Sequence, residues 1–256
     1  HTFEGSDVGK KAYWHTTSHI MAQAVKRLFP KAKLAIGPAI DNGFYYDFDV
    51  EKPFTDEDKI KIEEEMKRII KENLEIERFE LQRAEALELM SDKGEDYKVE
   101  LINELPEDSV ISFYKQGDFT DLCAGPHLLS TGKVKAVKIL SSSGAYWRGN
   151  ENNKMLQRIY AISYPKSSQL EEYINLIEEA KKRDHRKLGK ELDLFFFDET
   201  APGMAYWMPK GLKMMNVLID LWRKEHDKRG YMEFSGPQLN SSELWKTSGH
   251  WDHYKE

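Results

Sequence analysis

Leu34-Ala-Ile-Gly-Pro-Ala-Ile-Asp-Asn-Gly-Phe-Tyr-Tyr-Asp-Phe-Asp-Val50 is the stretch whose reading decides how the first half of this chain folds. Two apolar runs, 34–40 and 44–50, flank Asp41-Asn42-Gly43. Asn-Gly between such runs is the strongest short-range signal of a β-hairpin. Upstream, residues 15–29 contain no glycine or proline before Pro30 and predict a helix. Downstream, Thr55-Asp-Glu-Asp58 reads as a capping box opening a helix that carries Ile60, Met66, Ile69 and Ile70. A further helix is expected over Leu81–Met90, and short strands over Ile111–Tyr114 and Val134–Leu140. Ser141–Gly144 and Gly149–Asn153 have the composition of loops. These elements make an α+β unit, two layers with helices against an antiparallel sheet.

From Ser167 the pattern turns helical. Leu170, Ile174, Ile177 and Ala180 form an apolar stripe, followed by Lys181, Lys182, Arg183, His185, Arg186, Lys187 and Lys190. Leu192–Phe197 reads as a strand and Thr200–Gly203 as a turn. Leu212, Met215, Ile219 and Trp222 mark a helix ending near Gly230, before a strand at Tyr231–Phe234. A domain boundary is expected near residues 165–190. The divisions are 1–165, a helical linker 166–193, and a separate piece 194–256.

Composition restricts the classes of function. With 40% hydrophobic and 32% charged residues, the 256-residue chain reads as a globular protein with a strongly solvated surface. No apolar run approaches the roughly 18 residues of a membrane span, so no membrane partner is expected. One cysteine excludes an internal disulfide framework and fits a reducing compartment, hence a cytoplasmic expectation. The chain begins at His1 and ends in Tyr254-Lys255-Glu256, which suggests an excised fragment. A net charge of −6 argues against a generally basic nucleic-acid binder, although local basic surfaces still decide phosphate contact.

Chemistry concentrates in two short pairs. His15-Thr-Thr-Ser-His19 has i, i+4 spacing, which on a helix projects both imidazoles from one face. Cys123-Ala-Gly-Pro-His127 places the only cysteine and another histidine around a turn. Three imidazoles and a thiol that converge can bind a metal, move protons or grip a substrate. Taken singly, each has an ordinary structural reading: a surface histidine pair, a small buried hydrophobe.

Together these pairs resemble the editing site shared by threonyl- and alanyl-tRNA synthetases. Ala35–Pro38, Ile40–Asp47, Gly144–Gly149 and Asn153–Tyr160 narrow the resemblance to threonyl-tRNA synthetases of bacterial type. Lys181–Gly189 is similar to that family's linker between editing and catalytic domains. Gly211–Gly230, Pro237 and Thr247–Trp251 are similar to the start of a class II catalytic domain, including the first class II motif, which in the family builds a homodimer. The resemblance covers essentially the whole chain. It implies an editing domain followed by a truncated class II α/β catalytic domain. The parts binding ATP, Mg and a catalytic zinc are expected outside this chain, so editing would be kept and aminoacylation lost.

The resemblance also implies a reaction. Threonine and serine differ by one methyl, worth only about 1–3 kcal/mol in a pocket, so a second site that hydrolyses seryl-tRNA(Thr) restores accuracy. The family's roles fall on His15 as a water-positioning or acid–base group and on Lys98, which would stabilise or protonate the leaving oxygen. His19, Cys123 and His127 shape the pocket, while Tyr46 and Asp121 bind substrate. No cofactor is expected for editing. If zinc binds, the ligands are His15, His19, Cys123 and His127. A metal-free site is preferred, with these four donors too far apart for tetrahedral coordination. Two alternatives stand beside this reading: a zinc-dependent free-standing deacylase of alanyl type, and a non-catalytic tRNA-binding or dimerisation module.

Overall fold

The computed structural model describes residues 3–253; both chain ends discussed above lie outside them. The described residues form two compact units, one ending at Ile177 and the other starting at Glu178. That division falls inside a helix.

The first unit runs α1 (Asp7–Leu28), β1 (Lys33–Leu34), β2 (Ala39–Ile40), β3 (Gly43–Asp49), α2 (Asp56–Glu72) and β4 (Ile76–Leu81). It continues with α3 (Arg83–Asp92), α4 (Asp96–Glu104), β5 (Ile111–Gln116), β6 (Phe119–Leu122), β7 (Ala136–Tyr146), β8 (Met155–Tyr164) and α5 (Ser167–Lys182). Helix α1 begins eight residues before the expected start. Ser6 caps it, its hydroxyl accepting from Gly9 N–H at 3.0 Å, and Gly9 lies in the first turn rather than the helix interior. The Thr55 capping box forms as expected, with Asp58 accepting from the Thr55 backbone N–H.

The main sheet is antiparallel in the order β1–β3–β8–β7, with β2 also on β3. The run 34–40 is not the single strand its composition suggests. Leu34 pairs with Phe48 and Ile40 with Gly43, while between them the chain bulges at Gly37-Pro38. There Tyr46 lies so close that a Cβ on Gly37 would sit 2.0 Å from its ring. The hairpin loop is Asp41-Asn42, and Gly43 opens β3 at φ 114°. Ser141–Gly144, expected as a loop, belongs to β7, paired with β8 beyond a bulge at Ile139–Ser141. Its polar composition suits an edge strand. β8 is an inner strand of the sheet, bonded to β3 on one side and β7 on the other.

Helices α1 and α2 pack against each other and on this sheet, and Ile20, Met21, Phe44, Phe48, Ile62, Met66 and Ile159 are fully buried between them. Truncating one of the two phenylalanines to alanine would cost about 3–5 kcal/mol. Trp14 Nε1 donates to Ser163 O at 2.9 Å, tying α1 to the end of β8. A second sheet, β4–β5–β6, with α3 and α4, encloses a smaller core of Ala86, Met90, Ile102, Ile111 and Phe113. Leu81 ends β4 rather than starting a helix.

The second unit contains α6 (His185–Glu191), the hairpin β9 (Phe195–Phe197) and β10 (Ala205–Trp207), α7 (Pro209–Asp227), α8 (Ser242–Thr247) and α9 (His250–His253). Pro209 sits at the start of α7, where a missing N–H costs nothing. Val217, Leu218, Leu221 and Trp222 on α7 are exposed. Tyr231–Phe234 forms no strand, because no described segment pairs with it.

Candidate active site

Both halves of the cluster come together. His15 and His19 sit one turn apart on α1, ring centroids 5.2 Å apart and nearly perpendicular. Cys123 follows β6 directly, held by Cys123 N–H donating to Ser112 O (3.0 Å) and Ser112 Oγ donating to Cys123 O (2.7 Å). The chain then reverses at Gly125, whose φ of 76° favours glycine and whose absent Cβ would lie 2.2 Å from the Tyr114 hydroxyl. The reversal returns His127 to Cys123. Sγ lies 3.3 Å from His15 Nε2 and 3.2 Å from His127 Nε2, and accepts from Gly125 N–H at 3.2 Å. The rings of His15 and His127 are 4.4 Å apart, those of His19 and His127 4.3 Å.

Beside the cluster stands a buried charged network. Lys98 on α4 places Nζ 2.7 Å from Asp121 Oδ1 on β6, an ion pair whose angles fall outside those of a hydrogen bond. Lys98 Nζ also donates to the Tyr46 hydroxyl (3.1 Å), which donates to Asp121 Oδ2 (2.5 Å). Lys98 is 3% exposed, Asp121 1% and Tyr46 0%. His19 Nε2, 3.8 Å from Asp121 Oδ2, links network and cluster. A buried ion pair is weak evidence for stability, since apolar residues of the same volume often do as well. The nearby imidazoles give this one a reason to exist.

Electrostatics keep the cluster neutral. Burial lowers the pKa of all three imidazoles, that of His19 well below its usual value, and the Lys98 ammonium adds to the effect at His15 and His19. Burial pushes the Cys123 thiol up to about 12. Tyr46 is raised well above a normal phenol, first by burial and then by Asp121.

A cleft of about 540 Å³ opens on this assembly. His15, His19, Lys98, Asp121 and Cys123 line it, as do Gly37 and Pro38 of the β1–β2 bulge. Such a volume lies within the usual range for a small-molecule site. All seven residues singled out in the sequence therefore meet, but not in equal positions. Tyr46 is expected as a substrate-binding residue, yet its hydroxyl is spent on Asp121 and it does not line the cleft. Thr16 and Ser18 were not legible as site residues. Ser18 Oγ lies 2.7 Å from Gly37 O and 2.8 Å from His15 O, and its one proton, given to Gly37 O, pins the cleft rim to α1.

The four donors whose spacing bears on tetrahedral coordination stand near one another. One donor atom from each of His15, His19, Cys123 and His127 lies within 4.8 Å of the others. Tetrahedral zinc needs edges of about 3.3–3.6 Å, so small side-chain shifts suffice. The reversal at Gly125 is what draws Cys123 and His127 onto α1.

Residues 111–160 match the family described as Threonyl and Alanyl tRNA synthetase second additional domain, which spans β5 to β8 and includes Asp121, Cys123 and His127. Along its length the chain is also similar to enzymes with one name. It is 66% identical over 255 residues to a threonine–tRNA ligase of Caldanaerobacter subterraneus subsp. tengcongensis, covering 100% of this chain and 39% of that protein. It is 67% identical over 248 residues to a threonine–tRNA ligase of Acetivibrio thermocellus, covering 97% and 39%. The chain belongs to the threonine–tRNA ligase family and spans about two-fifths of the length of these curated relatives.

Proposed function

We propose that the first unit is an editing site that hydrolyses the seryl ester of mischarged tRNA(Thr). The observation that carries this reading is the convergence, in one cleft, of a buried Lys98–Asp121 pair and a neutral histidine–thiol cluster. In the reaction a water oxygen bonds to the ester carbonyl carbon, the bond to the ribose oxygen of the terminal adenosine breaks, and that oxygen takes a proton. Lys98 gives one N–H to the Tyr46 hydroxyl and faces Asp121 as an ion pair, which leaves an N–H for a substrate, and it lines the cleft. That donor suits the developing oxyanion or the leaving oxygen. Asp121 keeps the ammonium in place. His15, neutral and on the cleft wall, positions the water. The water's proton goes to an imidazole or to a neighbouring ribose hydroxyl.

This reading needs no ATP, Mg or zinc for editing. In the whole protein it extends to ATP-dependent attachment of threonine to tRNA(Thr) in the cytoplasm. Residues 194–256 are then the start of a class II catalytic domain, and the exposed face of α7 is half of a homodimer interface.

The test is deacylation of seryl-tRNA(Thr) and threonyl-tRNA(Thr) at saturating tRNA. The expected result is hydrolysis of the seryl ester with the threonyl ester spared. An inert chain, or one that cleaves both esters alike, overturns the proposal. The donor spacing supports a second reading as a zinc-dependent deacylase of alanyl type. There His15, His19, Cys123 and His127 would hold the ion, which supplies Lewis-acid activation of ester and water. Similarity to synthetases along the whole chain favours the first reading.

A further inference from the structure

Thr16, between the two cluster histidines on α1, is fully buried and has no place in the reaction just described. Its hydroxyl oxygen meets three groups: Ala12 O at 2.8 Å, Leu128 N at 2.8 Å and His127 Nδ1 at 3.2 Å. A hydroxyl has one proton to give and two lone pairs to receive. The Leu128 N–H can only donate, so it takes one lone pair. Ala12 O can only accept, and at the shorter distance it takes the proton, as threonine hydroxyls in helices commonly arrange. What remains for His127 Nδ1 is the second lone pair, and only a protonated Nδ1 can use it.

We infer that Thr16 is a positioning residue which fixes His127 in its Nδ1-protonated tautomer, and that this choice propagates through Cys123 to His15. With Nδ1 protonated, neutral His127 carries its lone pair on Nε2, 3.2 Å from Cys123 Sγ. That contact is attractive only if the thiol donates to Nε2. Having given its proton to His127, Sγ can only accept along its 3.3 Å contact with His15 Nε2. His15 is therefore protonated on Nε2, and Nδ1 is its one basic nitrogen. A single threonine thus sets the proton positions of two imidazoles and a thiol. If His15 orients water in the proposed hydrolysis, it does so through Nδ1, and this consequence rests on that functional reading.

The test is long-range proton–nitrogen NMR of the chelator-treated, nitrogen-15-labelled chain near neutral pH. In the wild type we expect protonated Nδ1 on His127 and protonated Nε2 on His15. Thr16→Val keeps the shape and removes the acceptor, so both tautomer preferences should be lost; Thr16→Ser should restore them. Seryl-tRNA deacylation should fall with the valine and return with the serine. A wild-type His127 protonated on Nε2 overturns the inference without any variant, and so does a folded Thr16→Val chain with both tautomers unchanged. Wild-type tautomers as expected in a chain that deacylates nothing would sink the editing reading and leave the proton assignment standing.

Discussion

Replacing Lys98 with methionine removes a buried ammonium at nearly constant volume. In the native chain that ammonium lies 2.7 Å from Asp121 and 3.1 Å from the Tyr46 hydroxyl, on a side chain that is almost wholly buried. Breaking a buried pair by deleting one partner costs about 3–5 kcal/mol, because the other charge stays behind unpaired. The 2.5 Å bond from Tyr46 solvates only one carboxylate oxygen, so the lower end of that range is expected. At about 2–4 °C per kcal/mol for a unit of this size, the melting temperature should drop by about 10 °C. Lys98→Met with Asp121→Asn removes both charges and should regain most of the stability, while deacylation stays abolished. Urea unfolding followed by hydrogen exchange of β8 amides is the suitable assay, because tryptophans occur in both units. A single variant as stable as wild type, or a double variant no better than the single, would refute the buried-pair reasoning. Full deacylation in the double variant would remove Lys98 from the reaction.

The three cluster histidines are held neutral by burial, and their folded pKa values lie below the unfolded one. Their contribution is thus present above about pH 6.5 and is lost as pH falls, at a slope approaching about 1.4 kcal/mol per pH unit for each. Acid titration of unfolding free energy checks this, and histidine-to-leucine variants should flatten the slope. Gly37→Ala should displace the Tyr46 ring, cost about 1–3 kcal/mol and cut deacylation; a crystal structure with Tyr46 unmoved would contradict it. Chelator-treated protein should keep deacylation. Stoichiometric zinc in the purified chain, with activity lost on chelation and regained with zinc alone, would replace the metal-free reading by the metallo-deacylase.

Much of the fold was legible where the signal is local. The Thr55 capping box, the turn before Gly43 and the start of α5 at Ser167 depend on residues within a few positions of one another. The misses are tertiary. Ser141–Gly144 has loop composition and becomes strand only because β8 is there to pair with it. Tyr231–Phe234 has strand composition and no partner. For the site, residue types at fixed spacing pointed to His15, His19, Cys123 and His127, because i, i+4 on a helix and a Gly-Pro turn are local geometry; Lys98, Asp121 and Tyr46 carry no such local signal and came only from the family resemblance. Thr16 stayed hidden because its role depends on Leu128 N–H, 112 residues away.

The position of β8 has a consequence for how the protein comes off the ribosome. Until Met155–Tyr164 emerges, β3 and β7 each have an edge with nothing to bond, and Trp14 has no carbonyl at Ser163 to meet. The helix carrying His15 and His19 is made well before the sheet that seats it is complete. Long-range closure of this kind is slow and leaves adhesive strand edges bare for as long as synthesis takes. A nascent chain paused before residue 155 is therefore the species most in need of a chaperone, with every cluster histidine and the cysteine already translated and the sheet that supports them still open.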